Sequence, residues 1–305
     1  ERCQKGQGRI LVDEPSLELH DADFAQVNIR SGRGQVDLKD GDLDRVELDR
    51  GLVVEFDGYR LESTRGTYLG ESRHIVLADG GSVDSAVVDL SGEFMLLDLE
   101  QSIVGVVGKV VTEFHPAASP AESDPPMDGP EVAGPFGADL LPGISFSDAS
   151  SDVTIRAKEL QFDMKASRIV YRGNVEVEQG DFGTRSDELE IVYAGDPQSG
   201  EAVALDRVVA RGGVVVRQND RTAWGDIAEF QQRERKILLS GNARLQEGDS
   251  EVRGEKLTVF LDEGASIIES EPGRRVSAVL FEDDFGAQEE SDKEAGESVL
   301  PQKRP

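Results

Sequence analysis

Basic residues are scarce in this chain: 33 Lys and Arg stand against 61 Asp and Glu, leaving a formal net charge of −28 over 305 residues. So acidic a surface repels nucleic acid phosphates and anionic headgroups, which excludes both as electrostatic partners. Cys3 is the single cysteine, so there is neither an intrachain disulfide nor a thiolate metal cage. His20, His74 and His115 lie far apart and outside any ligand spacing, and no metal site is expected. No apolar run approaches the roughly 20 residues of a membrane helix. Neither a Gly-x-Ser-x-Gly elbow nor a phosphate-binding glycine loop is present, so no catalytic activity and no cofactor are expected. Aromatic residues make up only 6% of the chain, too few to fill a wide β interior with large side chains.

What the chain has instead is repetition. Residues 43–97 slide onto residues 205–259 without a gap: Leu43-Asp44-Arg45-Val46 falls on Leu205-Asp206-Arg207-Val208, and Gly51-Leu52-Val53-Val54 on Gly213-Val214-Val215-Val216. A shorter unit recurs inside the second half. Gly173-Asn174-Val175-Glu176-Val177 returns as Gly241-Asn242-Ala243-Arg244-Leu245. Arg156-Ala157-Lys158-Glu159-Leu160 recurs from Arg185, more loosely from Trp224, and again from Arg253, in steps of 29, 39 and 29 residues. Repeats of this size are strand–turn units that bury their apolar faces only by stacking, and they predict an elongated, all-β stack.

Within each unit, apolar residues alternate with charged ones, the mark of a sheet with one dry face. From Pro116 to Pro142 the texture changes: seven of the 12 prolines lie there, and no Lys or Arg occurs between Lys109 and Arg156. Four segments follow: a β module over 1–115, an acidic Pro-rich linker over 116–150, a second β module over 151–283, and an acidic tail over 284–305 expected to be disordered.

The Arg-x-x-x-Leu and Gly-Asn-Val elements, recurring in this order, resemble the OstA-like family of lipopolysaccharide transport modules. Residues 152–281 are similar to its periplasmic carrier, the LptA type; residues 10–115 look like the LptC type, through Gly51-Leu52-Val53-Val54 and Leu61-Glu62-Ser63. The resemblance implies a twisted, incompletely closed β-jellyroll in each module, with the acyl chains of lipid A held in the interior. It implies a periplasmic location and head-to-tail contact with other modules of the same type. An inner-membrane ABC transporter complex and an outer-membrane translocon are further implied partners, and an anchor upstream of Glu1 is expected to tie the chain to the inner membrane.

Two readings of the apolar stripe stand side by side. Leu52, Val54, Phe56, Phe162, Ile169, Tyr171, Val175, Val177, Leu189, Ile191, Val208, Val214, Val216, Phe230, Ile237, Leu239, Leu245, Leu257 and Val259 share one face, which either fills a core or lines a lipid groove. Trp224, the sole tryptophan, replaces the arginine of the repeat and is either a packing plug or a groove-mouth contact. Arg156, Arg185 and Arg253 either meet lipid phosphates or form surface ion pairs with neighbouring carboxylates. Two rival functions are a parallel β-solenoid acting on polysaccharide, for which turns every 20–25 or so residues are expected, and a ligand-free β filament.

Overall fold

The computed structural model describes residues 8–19, 26–40, 42–56, 59–85, 88–115, 151–194, 204–231, 234, 236–260, 266–270 and 275–279. The expected linker and the expected acidic tail lie outside the described residues. The described residues are all-β, with 22 strands among them. In chain order they are β1 (Gly8–Asp13), β2 (Ser16–Leu19), β3 (Val27–Arg30), β4 (Arg33–Lys39), β5 (Asp42–Phe56), β6 (Tyr59–Leu69), β7 (His74–Leu77), β8 (Gly81–Val83), β9 (Val88–Gly92), β10 (Phe94–Asp98) and β11 (Ile103–Phe114). Then follow β12 (Val153–Asp163), β13 (Arg168–Gln179), β14 (Phe182–Ala194), β15 (Ala204–Gln218), β16 (Arg221–Gln231), β17 (Lys236–Ser240), β18 (Arg244–Glu247), β19 (Ser250–Arg253), β20 (Lys256–Phe260), β21 (Ser266–Glu269) and β22 (Ser277–Val279).

The pairings resolve into two ladders. The first runs β1-β4-β5-β6-β7-β10-β11-β12-β13-β14-β15-β16-β17-β20-β21; the second runs β2-β3-β5-β6-β8-β9-β11-β12-β13-β14-β15-β16-β18-β19-β22. Long strands such as β5, β11 and β13 take part in both, one half in each layer. Every pairing between these strands is antiparallel, so a parallel β-solenoid is excluded.

Consecutive left-handed residues mark where several strands pass from one layer to the other. Gly108/Lys109, Gly173/Asn174 and Gly212/Gly213 have φ of 80/45, 81/51 and 80/54, and Arg50/Gly51 has 66/89. The ladder register shifts at these points, between Asp49 and Leu52, Val107 and Val110, Arg172 and Val175, and Arg211 and Val214. A bulge of this kind bends a strand and increases its twist. Gly241/Asn242, at φ 76/54, performs the same turn between β17 and β18. The repeated Gly-Asn-Val is therefore the bend itself.

The Arg-x-Lys/Asp element covers that bend. The side chain of Lys158 lies over Gly173, Asp187 over Gly212 and Asp226 over Gly241, so close that an added Cβ would come within 3.0, 2.4 and 2.4 Å of them. The Asn242 side-chain amide donates to Asp226 Oδ2 at 3.4 Å. The two sequence repeats are thus the two halves of one contact on neighbouring strands.

The ladders also cross the boundary between the modules. β11 pairs with β12 from Ile103↔Asp163 to Phe114↔Val153. Beside the join, His115 Nε2 lies 3.0 Å from Asp89 Oδ2 and Nδ1 lies 3.4 Å from Asp152 Oδ1. The hydrogen bond to Asp89, reinforced by Asp152, raises the imidazole pKa above its ordinary value. One contiguous core runs from Val27 to Leu257, fed by the inward faces of both layers. At the far ends, no described strand pairs with the outer edges of β1 and β2 or of β21 and β22, leaving the jellyroll open.

The bend makes a prediction. Gly212→Ala sets a side chain at φ 80 against Asp187. The left-handed region alone costs an L-residue about 1–2 kcal/mol. Thermal unfolding should show a midpoint several degrees lower, whereas Gly183→Ala, whose nearest atom would be 3.8 Å away, should change little. Equal midpoints for the two variants would refute the role given to the bend.

Candidate lipid-binding interior

The inward residues of the two layers face one another across three spaces that follow the stack. A junction cavity of about 50 Å³ lies where the modules meet. Phe162, Ile169 and Tyr171 line it from the first layer; Val88, Thr112 and Phe114 line it from the second, with Phe56 from β5. A narrower space of about 30 Å³ follows, between Val177, Phe182 and Val216 on one side and Leu189, Val208, Phe230 and Ile237 on the other. The interior then widens to about 520 Å³ near the C-terminal end, bounded by Val216, Ala223, Ile237, Leu239, Leu245, Val252 and Val259 among others. Its rim carries Gln218, Arg221 and Glu247.

Burial grades along this path. Leu52, Val54, Phe56, Ile169, Tyr171, Val175, Val177, Leu189, Ile191, Val208, Val214, Phe230, Ile237, Leu239 and Leu257 are buried in the core. Phe162, Val216, Leu245 and Val259 are partly buried and pack against it. Three of these four, Val216, Leu245 and Val259, border the wide C-terminal space. Val177 is 2% exposed, while its neighbours Glu176 and Glu178 turn outward and pair with Arg185 and Arg156. The structure brings the expected inward residues together with one exception.

That exception is Trp224, which lies on the outer face. It sits opposite Val215 and Arg244, one residue out of phase with the inward Ala223. The Arg244 guanidinium stacks 4.2 Å above its ring, a cation–π contact, and pairs with Glu251 at 2.9 Å. An aromatic ring replacing the repeat's arginine keeps the arginine's outward direction, and so it cannot line the interior.

The repeated arginines also point outward. Arg156 meets Glu178 at 2.5 Å, Arg185 meets Glu176 at 3.0 Å, and Arg253 meets Glu251. The surface-pair reading accounts for all three. A denser set crosses β13, β14 and β15, where Glu190 lies between Arg168 at 2.5 Å and Arg211 at 2.8 Å, while Glu188 takes Arg172 at 3.0 Å. Burial by itself pushes the Glu190 pKa up, but the hydrogen bonds from Arg211 and Arg168 outweigh it and hold the carboxyl below its ordinary value.

Several lining residues were not singled out by the repeats: Tyr59, Val83, Val88, Leu90, Val104, Thr112, Phe114 and Met164 at the junction. The alternation Val104-x-Val106 and Val110-x-Thr112-x-Phe114 carried the signal. It lay in a module where the sequence match is thin, and its partner strand follows the long Pro-rich segment.

Comparison with known proteins bears on the second module. The family described as LptA/(LptD N-terminal domain) LPS transport protein matches residues 154–265. The lipopolysaccharide export system protein LptA of Escherichia coli K12 is 27% identical over 135 residues, covering 44% of this chain and 72% of the relative. LptA of Shigella flexneri matches with the same figures, 27% over 135 residues. Among solved structures, LptH of Pseudomonas aeruginosa, described as the LptA-homologous periplasmic component of the lipopolysaccharide transport device, aligns with a TM-score of 0.37 and 17% identity, over 42% of this chain and 94% of that one.

The outer ladder of charges predicts a pH dependence. A carboxyl whose pKa is lowered on folding stabilises the fold above its unfolded value, ordinarily 4.5, and loses that contribution as the pH falls through the folded value. Glu190→Gln should therefore cost about 1–2 kcal/mol at pH 7, as for a charged hydrogen-bonded group. The difference should shrink steadily below about pH 4.5, the unfolded value. A gap between the two melting curves that stays constant through the acid range would contradict the assignment.

Proposed function

We propose that this chain, whose residues 154–265 match the LptA/(LptD N-terminal domain) LPS transport protein family, is a transport protein of that type whose two-layer trough carries the acyl chains of lipopolysaccharide through the periplasm toward the outer membrane. The observation that supports this reading most is the interior itself. It is lined mostly with hydrocarbon and widens to about 520 Å³ beside strands whose outer edges pair with no other described strand. A core that served only for packing would close down at its end, since interiors are close-packed.

The chemistry of the ligand fits the charge. Lipopolysaccharide is anionic and the chain carries −28, so attraction between charges contributes little. Binding comes from the buried acyl chains, at about 0.8 kcal/mol per CH₂. Transfer along the trough is then a sliding of hydrocarbon over hydrocarbon, with no covalent chemistry and no nucleotide bound by this chain.

The open ends supply the partners. The outer edges of β1 and β2, and of β21 and β22, pair with no other described strand, and such edges are templates for strand addition. Ile10 and Leu11 at one end, and Ile267 and Val279 at the other, expose apolar side chains beside those edges. Head-to-tail addition of modules there extends the trough. By the same reading, the LptC-like first module faces an inner-membrane ABC transporter complex, an upstream segment anchors the chain, and the second module leads to an outer-membrane translocon.

A photocrosslinking amino acid at Val216 or Leu245 should label lipopolysaccharide in the cell envelope, while one at Glu176 or Trp224 should not. Labelling at all four positions alike, or at none in a folded protein, would overturn the carrier reading; absence of label together with polymer formation would favour the ligand-free filament.

A further inference from the structure

The hydrocarbon lining is interrupted at the junction. There Thr112 reaches in from the second layer and Tyr171 from the first, both lining the same cavity. The Tyr171 residue is 0% exposed and Thr112 is 2% exposed, yet neither hydroxyl oxygen has a hydrogen-bond partner among the described residues. The two are close enough for Thr112 to offset part of the rise that burial imposes on the Tyr171 pKa, although neither oxygen meets a partner in hydrogen-bonding geometry among the described residues. Tyr193, also buried and unpartnered at its hydroxyl, interacts electrostatically with Tyr171, and its pKa is raised chiefly by burial.

Buried polar groups are nearly always hydrogen-bonded, and an orphaned one is costly. Two at one cavity of a mostly apolar trough, with a third nearby, call for a partner that arrives with the cargo. A hydroxyl both donates and accepts, so it suits another hydroxyl or a carbonyl oxygen. No charged side chain among the described residues lines the cavity, and an ionised ligand group would be buried there without a counter-charge, which is prohibitive. The phenols stay protonated because burial raises their pKa.

We infer that the junction cavity is a recognition point for a neutral oxygen carried on an acyl chain, so that hydroxylated or ester-branched chains are held there in preference to plain hydrocarbon. The inference rests on the lipid-carrier reading and names the part of the lipid that one stretch of the trough reads. The space of about 50 Å³ admits a short length of chain with its oxygen, and it also has room for ordered water. The two occupants are separable by experiment.

The test uses the full chain and two lysophosphatidylethanolamines with the same headgroup, one bearing a β-hydroxymyristoyl chain and one a myristoyl chain. Calorimetric titration should give the hydroxylated lipid about fivefold tighter binding, the worth of one net hydrogen bond. In Tyr171→Phe combined with Thr112→Val the ratio should fall to about one, with the plain chain bound as well as before. Removing the orphaned hydroxyls should leave the thermal midpoint unchanged or raised. If the double variant does not fold, the wild-type ratio and Tyr171→Phe alone decide. Equal binding of both lipids by the wild type, or a preference that survives the double variant, would overturn the inference and mean that water satisfies these hydroxyls, while the trough would stand. Binding of neither lipid to the folded protein would overturn the carrier reading along with it.

Discussion

The long strands must pass from one layer to the other without losing their ladder, and the paired left-handed residues at the centres of β5, β11, β13 and β15 are what permit this. The bend at Gly173/Asn174 or Gly212/Gly213 folds both halves of the strand over a shared interior. Straight strands would give one flat sheet with an exposed apolar face, a template for aggregation rather than a trough. The side chains that close over the bend, Lys158, Asp187 and Asp226, leave no space for a Cβ, so the glycine and its cover form one structural unit. Repeated along the chain, this unit aligns the interior faces and gives the trough its length.

Charge then sorts to the outside. Alternation sends the acidic residues to the solvent face, where cross-strand arginines pair with them, as in the Arg168–Glu190–Arg211 set. Exposed pairs of this sort contribute little individually. Their larger effect is to keep neighbouring carboxylates from repelling one another on a chain of net charge −28. The interior needs no charge at all, and its open end widens because fewer strands remain to close it.

Much of this was legible in the sequence. The repeats at Gly173 and Gly241 marked the bends, and the alternation around Val177 and Val216 set which side chains turn inward. Trp224 could not be placed from its chemistry, which suits a packing plug and a groove contact alike, whereas its direction is fixed by register: the residue beside Ala223 on a strand must point the other way. The junction was hidden for another reason. Pairing of β11 with β12 is a contact between segments separated by the Pro-rich stretch, and local periodicity carries no record of which strand pairs with which. The unpartnered hydroxyls of Thr112 and Tyr171 were invisible because each is an ordinary residue until the two layers bring them together.

The central claim is that the two modules form one trough, joined by the β11–β12 ladder and the shared core, and not two bodies tied by a tether. Its direct test is to insert a protease site within residues 116–150, cleave it, and pass the product through a sizing column. The account predicts that both fragments elute together as one particle and part only in denaturant. Two fragments that elute separately, each folded, would contradict it.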